Sequence, residues 1–279
     1  MSRGGAKLAV TAVQAGRSTR PAENLRVDRW WLQPALTAAG LTAFVIYSTW
    51  STFTPHEFFA GATVGRDYLS PFFSPCITNR CGPGTTWHLV NWWPFSAAIL
   101  MLPFPLLFRG TCYYYRKAYY RSFWFSPPAC AVPEPHGKYT GESRFPLLVQ
   151  NLHRYALYLV IPFPIILLWE AWKGTHMITV SAAGSLVTSR GLGLGTLILF
   201  VNALLLLTYT LSCHSCRHLC GGHLNAMSKG PTRYWLWKRV SFLNQHHMGL
   251  AWVSLVAVGL TDVYVRLVAS GALHDPRFF

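Results

Sequence analysis

Five apolar segments, each about as long as a membrane-spanning helix, constrain this chain more than any other feature of its sequence. They cover residues 32–52, 89–108, 147–172, 192–211 and 242–268. A helix that crosses the hydrocarbon core of a bilayer needs about 20 predominantly apolar residues. The segments therefore predict an all-α integral membrane protein with five transmembrane helices.

The charged residues agree with this fold class. Only 12% of the 279 residues are charged, about half the share in a typical soluble protein. The net charge of +15 comes from Lys and Arg placed between the apolar segments, which favours a topological cause over binding of nucleic acid. Most of these residues lie before the first segment, between the second and third, and between the fourth and fifth. The positive-inside rule therefore predicts a cytoplasmic N-terminus and a C-terminus outside.

Two units follow from this topology. Residues 1–31 are polar, show no secretory signal and predict a cytoplasmic N-terminal arm. Residues 32–279 form the five-helix transmembrane anchor domain. Prolines inside the second and third segments, Pro103, Pro105, Pro162 and Pro164, kink helices, so the bundle is expected to be bent.

Three cysteines and three histidines occupy the stretch 213–223, directly after the fourth segment. Thiolate and imidazole groups are common ligands of zinc, iron and iron–sulfur clusters. The stretch lies where a predicted membrane helix reaches the polar boundary, not in a secreted disulfide framework. It therefore predicts a metal or redox centre at the inner side of the bundle.

Further candidate ligands come from other helices. His247 lies near the start of the fifth segment, and a helical hairpin would bring it to the same membrane depth as residues 213–218. Cys112 lies at the inner end of the second segment. His153 lies about 10 Å inside the third helix, where ionisable groups indicate function, although a structural hydrogen bond to a carbonyl is the alternative. The complete set of predicted metal ligands is Cys112, His153, Cys213, His214, Cys216, His218 and His247.

Helical geometry limits how these ligands combine. At about 100° per residue, Cys213 and Cys216 lie on one helix face and are able to chelate one iron. Cys216 and His218 point about 200° apart, so a purely local cluster site would require the helix to unwind. Imidazoles from His153, His218 or His247 would then bind a second iron. Two thiolates and two imidazoles are the ligands of a Rieske-type [2Fe-2S] cluster.

Two loops carry further predictions. Cys76 and Cys81 lie in the first outer loop, where the compartment permits a disulfide; a metal site is the alternative. The inner loop after the second segment is rich in tyrosine and contains Arg116, Lys117 and Arg121. Such a segment suits the lipid headgroup level and equally a docking surface for a soluble partner.

Four motifs resemble those of a known family. They are FRGTCYYYR at 108–116, SPPACAV at 126–132, QNLHRY at 150–155 and CHSCRH at 213–218. In this order they are similar to the membrane anchor subunit of actinobacterial succinate dehydrogenase, in particular the mycobacterial type-one enzyme. The similarity covers helices two to five.

This resemblance implies an anchor for the flavoprotein and iron–sulfur subunits of respiratory complex II in a bacterial plasma membrane, with a possible further small membrane subunit. Electrons from succinate, oxidised on another subunit, would pass through a membrane-embedded Rieske-type [2Fe-2S] cluster to menaquinone. Other anchors of this enzyme bind haem b through paired histidines, so haem b is an alternative cofactor here. A structural zinc site in a membrane transporter or assembly factor is the alternative from another class.

A quinone site would need a nearby electron carrier, aromatic walls, a hydrogen-bond donor and a route for protons. These requirements predict a site at the inner ends of helices three and four. Arg217 would stabilise negative charge on the ring, Tyr155 would donate to a carbonyl oxygen, and His218 would relay the proton. Snorkelling of Arg217 to lipid phosphate is the alternative.

Overall fold

The computed structural model describes residues 26–61, 67–78, 89–135, 143–145, 147–180, 185–222 and 225–278. Within them the chain forms ten α-helices. These are α1 (Leu32–Phe53), α2 (Ala97–Met101), α3 (Pro103–Thr111), α4 (Tyr113–Tyr119), α5 (His153–Val160), α6 (Pro162–Lys173), α7 (Leu194–Leu211), α8 (His214–Gly221), α9 (Pro231–Gln245) and α10 (His247–Ala269). A π-helix, Tyr120–Trp124, continues α4, and a 3-10 helix, Leu147–Leu152, leads into α5. A second 3-10 helix, Met227–Lys229, precedes α9.

Two antiparallel hairpins lie between the longer helices. Strand β1 (Phe59–Ala60) pairs with β2 (Tyr68–Leu69), and β3 (His176–Val180) pairs with β4 (Leu186–Arg190).

Most of the predicted N-terminal arm, 1–25, lies outside the described residues.

Three helical stretches are long and apolar enough to cross a membrane: Leu147–Lys173, α7 and α10. A fourth, Ala97–Thr111 with Tyr113–Trp124, qualifies only as a pair bent by 77°. Helix α1 has 22 residues, but its hydroxyl-rich C-terminal half makes it less apolar than the other stretches. The described residues therefore contain three candidate spans, or four with the bent pair, and the prediction of five is not confirmed.

Prolines divide the second and third apolar segments, as predicted. Pro103 and Pro162 each open a helix, α3 and α6, after a single connecting residue. Proline removes a backbone donor and disfavours helical geometry in the residue before it. The second segment also becomes helical later than predicted, at Ala97, where Ser96 Oγ accepts a hydrogen bond from the Ala98 amide at 3.3 Å.

A buried polar network joins α1 to α10. The side chain of Asp262 is 0% exposed and that of Arg266 7%, and they form an ion pair at 3.0 Å. Tyr47 Oη and Ser51 Oγ donate to the same Asp262 carboxylate oxygen at 2.5 and 2.9 Å. Because removal of one partner from a buried pair costs about 3–5 kcal/mol, this network fixes the packing of the two helices.

Asp275 fixes the start of α7. Its carboxylate accepts hydrogen bonds from the Gly195 amide at 2.8 Å, Tyr68 Oη at 2.9 Å and Tyr264 Oη at 2.6 Å. A negative charge at a helix N-terminus is stabilising. A Cβ on Gly195 would lie 2.4 Å from the Tyr68 ring, so this close approach requires glycine. The opposite end of α7 leads directly to Cys213.

Candidate metal centre

Two segments of the same pattern end α3 and α7. Each has an aromatic residue, two further residues, a hydroxyl residue and a cysteine: FRGTC at 108–112 and YTLSC at 209–213. Both cysteines have extended backbone, with ψ of 131° at Cys112 and 143° at Cys213, and each caps the N-terminus of the next helix, α4 or α8. The helix is therefore interrupted at each thiol, which lies at a helix N-terminus, a position that favours negative charge.

His153, the first residue of α5, packs on the first segment and faces the second. Its ring is stacked on Phe108, with centroids 4.8 Å apart and planes 13° apart. Its Nδ1 lies 2.9 Å from Thr111 Oγ1, and its Nε2 lies 2.9 Å from Cys213 Sγ. The imidazole is therefore held by α3 and directed at the cysteine that follows α7.

His247, the first residue of α10, has the reciprocal arrangement. Its ring is stacked on Tyr209, with centroids 5.1 Å apart and planes 12° apart. Its Nδ1 lies 2.7 Å from Ser212 Oγ, and its Nε2 lies 3.3 Å from Cys112 Sγ. Asn244 supports this arrangement because its side-chain amide donates to the Ser212 carbonyl at 2.7 Å.

These contacts form two crossed pairs, Cys112–His247 and Cys213–His153, in which each histidine is held by one segment and faces the cysteine of the other. The two cysteines are 3% and 1% exposed. The Phe108 and Tyr209 rings meet edge to face, with centroids 5.7 Å apart. In the part of the chain that the structure describes, no three potential ligands converge on a single ion, so the donors meet as pairs.

The other predicted metal ligands lie outside the crossed pairs. Cys216 is buried, close both to Cys220, one turn along α8, and to Cys213. His214 and His218 are exposed. The prediction that Cys213 and Cys216 share one face assumed a continuous helix, whereas α8 begins only after Cys213. Which of these residues bind a metal stays a prediction.

The residues predicted to bind quinone differ in their surroundings, and their role stays a prediction. Tyr155 is 64% exposed, and His218 is also exposed. Arg217 is held by α9, where its Nε donates to Ser241 Oγ at 2.9 Å and its guanidinium lies 5.1 Å from the centre of the Trp237 ring.

An apolar cavity of about 350 Å³ adjoins the crossed pairs, with Phe108 and Tyr209 in its wall. Residues of α1, α2, α3, α5, α6, α7 and α10 line it, and it is partly open to the surroundings. Tyr209 Oη is buried and lies close to the Cys112 thiol. Arg109 also lines the cavity, lies 4.4 Å from the centre of the Tyr209 ring and donates to Ser254 Oγ at 2.9 Å. Apolar walls with a few polar groups are typical of small-molecule sites.

The outer-loop disulfide was predicted between Cys76 and Cys81. Cys76 is buried and disulfide-bonded. Cys81 lies outside the described residues, so the identity of the partner stays a prediction. The described cysteines of the predicted inner side, Cys112, Cys130, Cys213, Cys216 and Cys220, are free thiols.

Sequence reasoning did not identify Thr111, Ser212, Phe108, Tyr209 or Arg109 as site residues. A signal for four of them was present, because the spacing of aromatic, hydroxyl and cysteine residues is the same in 108–112 and 209–213. Comparison of these two segments would have indicated paired imidazole-binding sites. No sequence pattern indicated Arg109, which has the position of an ordinary cation near a helix end.

Residues 32–271 match the family described as actinobacterial succinate dehydrogenase subunit SdhC. A solved structure, the Mycobacterium smegmatis Sdh1 complex in the apo form, contains a similar chain with 48% sequence identity and a TM-score of 0.80. The alignment covers 94% of this chain and 98% of that chain. No match was found among curated proteins.

Proposed function

This chain belongs to the actinobacterial succinate dehydrogenase SdhC family, as its motifs predicted, and from this premise we propose that it carries electrons to menaquinone through a Rieske-type [2Fe-2S] cluster. As a membrane subunit of succinate dehydrogenase it associates with other subunits of that complex. The observation that carries the proposal is the crossed arrangement of two thiols and two imidazoles.

The four donors fit such a cluster in number and type. A Rieske-type cluster takes two thiolates on one iron and two imidazoles on the other. Cys112 and Cys213 supply buried thiols, and His153 and His247 each direct Nε2 toward them. When bound, the cluster would supply one-electron transfer at a potential above that of an all-cysteine cluster. Around it, the protein's own aromatic rings exclude water and hold the imidazoles.

Haem b and zinc are the alternatives that the sequence left open. A b-type haem would need space for its macrocycle between two imidazoles, but His153 and His247 are packed on Phe108 and Tyr209. Structural zinc takes four ligands at one ion, and two thiolates with two imidazoles suit zinc as well, so spectroscopy must separate zinc from the cluster. The stacking of both imidazoles disfavours the haem.

Spectroscopy of the purified complex tests the cofactor directly. We expect a reduced-state EPR signal of a [2Fe-2S] cluster with imidazole ligands, in addition to the signals of the iron–sulfur subunit, and no absorption bands of haem b. Zinc is colourless and redox-silent, so a complex with zinc at this site would show neither. The haem bands, or an EPR spectrum fully accounted for by the soluble subunits, would contradict the proposal.

The proposed topology has five spans in a bacterial plasma membrane, with the N-terminus in the cytoplasm and the C-terminus outside. The distribution of Lys and Arg supports this orientation. Helix α1 supports the fifth span because Leu36, Val45 and Ile46 are 64%, 57% and 65% exposed, as expected for side chains that face lipid. Succinate oxidation is assigned to the flavoprotein subunit, not to this chain.

The surface proposed to dock the iron–sulfur subunit is the bent segment 113–125. It exposes aromatic rings, with Tyr113 67%, Trp124 52% and Phe125 44% accessible, and Lys117 is exposed beside them. Exposed aromatic residues interspersed with cations are typical of protein interfaces. The 77° bend after Thr111 turns this segment away from the axis of α3.

Charge reversal tests this surface. The double variant Arg116→Glu/Lys117→Glu is expected to release most of the flavoprotein and iron–sulfur subunits from washed membranes, because reversed charges repel a complementary partner. The cofactor spectrum of the membrane subunit should be unchanged. Arg121, the third cation of the predicted dock, is left intact because its Nε donates to the Pro128 carbonyl at 3.1 Å.

A matched control is Lys238→Glu/Arg239→Glu on α9, which reverses the same number of charges on another element. Full retention of succinate dehydrogenase activity in washed membranes of the α4 variant would exclude 113–125 as the dock. Equal release from both variants would indicate a general charge effect.

The apolar cavity beside the crossed pairs is the proposed menaquinone site. It lies next to the proposed electron carrier through Phe108 and Tyr209, and Arg109 and the Tyr209 hydroxyl supply polar groups for the quinone oxygens. The site predicted at Arg217, Tyr155 and His218 is the rival placement.

A further inference from the structure

We infer that Thr111 and Ser212 are positioning residues that fix the tautomers of His153 and His247, so that both imidazoles present an unprotonated Nε2 to the crossed centre. The expected effect on cluster stability rests on the proposed function. The assignment of the two tautomers rests on hydrogen-bond geometry alone.

The hydroxyl of Ser212 has one proton, and we assign that proton from the two groups beside it. Ser212 Oγ donates to the Tyr209 carbonyl at 2.7 Å, an oxygen that only accepts. Toward His247 Nδ1, at 2.7 Å, the same hydroxyl must therefore act as acceptor. His247 then carries its proton on Nδ1, and its Nε2, on the side of Cys112, has a free lone pair.

Thr111 imposes the same condition on His153. Its Oγ1 donates to the Leu107 carbonyl at 2.6 Å, so at 2.9 Å it accepts from His153 Nδ1. The free lone pair on Nε2 then faces Cys213. The same chemistry is thus built twice, once at the end of α3 and once at the end of α7.

Within each of the two segments, three side chains have different roles. The aromatic residue sets the plane of the imidazole by stacking, the hydroxyl sets its tautomer, and the cysteine supplies a donor to the other segment's histidine. Partners that orient ligating histidines in this way typically change metal affinity or activity about 10–100-fold when they are removed. A serine or threonine hydroxyl is uncharged, so its hydrogen bond does not favour a charged form of the imidazole.

The test uses the assembled complex with the variants Thr111→Val and Ser212→Ala, which delete the hydroxyls. Conservative variants, Thr111→Ser and Ser212→Thr, keep them. Thr261→Val is the matched control, since Thr261 is a buried threonine that donates to the carbonyl four residues earlier, Ala257, at 2.8 Å.

Cluster loss to a chelator is expected to be about 10–100-fold faster in Thr111→Val and Ser212→Ala than in wild type, with altered EPR g values and a higher midpoint potential. The potential rises because an imidazole without an acceptor for its N–H is a weaker electron donor to iron. Thr111→Ser, Ser212→Thr and Thr261→Val should match wild type. Unchanged loss rates and g values in both deletion variants would overturn the inference.

A second readout does not depend on the cluster. In iron-free complex labelled with ¹⁵N-histidine, nitrogen NMR is expected to show Nδ1–H and an unprotonated Nε2 for His153 and His247, and the assignment should weaken in Thr111→Val and Ser212→Ala. A protonated Nε2 on either neutral histidine in wild type would overturn the inference. If wild type has no [2Fe-2S] signal, the proposed function fails, and the nitrogen spectrum still decides the tautomers.

Discussion

The Cys213→Ser variant is expected to lose the [2Fe-2S] EPR signal of the membrane subunit completely, and with it quinone reduction. Cys213 is 1% exposed and faces His153 Nε2 at 2.9 Å. A Rieske-type cluster needs two thiolate ligands on one of its irons, and a serine hydroxyl does not ionise at neutral pH. Reduction of an artificial acceptor by succinate should survive, because that reaction is assigned to the soluble subunits. Cys112→Ser should behave in the same way.

Cys216→Ser is the matched control. Cys216 lies three residues farther along the chain and is also buried, and its thiol is close to Cys220 and to Cys213 without belonging to either crossed pair. This variant should retain the signal and the quinone activity. A full signal in Cys213→Ser would refute the crossed ligand set, and a signal lost only in Cys216→Ser would point to a centre built within α8.

The long helices were the part of the fold that the sequence predicted best. The segment 192–211 became α7, Leu194–Leu211, and the apolar run 147–172 became the stretch Leu147–Lys173. Hydropathy predicts these helices well because each faces lipid over much of its surface and is therefore composed mainly of apolar residues. Proline positions predicted the breaks at Pro103 and Pro162 for an equally local reason.

The site was harder to predict because its geometry depends on interruptions of helices. Helical periodicity placed Cys213 and Cys216 on one face, but the chain is extended at Cys213. His153 is 60 residues from the cysteine it faces and 42 residues from the hydroxyl that holds it. The residue types could be listed from the sequence, whereas their crossed pairing follows only from the packing of α3, α5, α7 and α10.

Blocking the cavity is expected to stop quinone reduction without removal of the cluster. Leu206→Trp places an indole in the cavity that Leu206 lines, where a quinone ring is proposed to bind. Displacement of a reactant by even about 1 Å can cost a hundredfold in rate, so exclusion of the ring should reduce turnover by at least about that factor. The EPR signal and the reduction of an artificial acceptor should be unchanged, because Leu206 packs against the apolar cluster that includes Phe72 and Val258 and is not one of the four donors.

The control variant and the variants of the alternative quinone site are measured by the same two assays, quinone reduction and reduction of an artificial acceptor. Leu204→Trp makes the identical substitution on the same helix at a side chain that is 50% exposed, and it should leave quinone reduction near the wild-type rate. Arg217→Met and Tyr155→Phe probe the inner site predicted from the sequence. If these two variants lose quinone reduction while Leu206→Trp keeps it, with an unchanged Michaelis constant, the quinone binds at the inner end of the bundle. The cavity would then be excluded as the quinone site, because an indole inside it would have left the reaction unchanged.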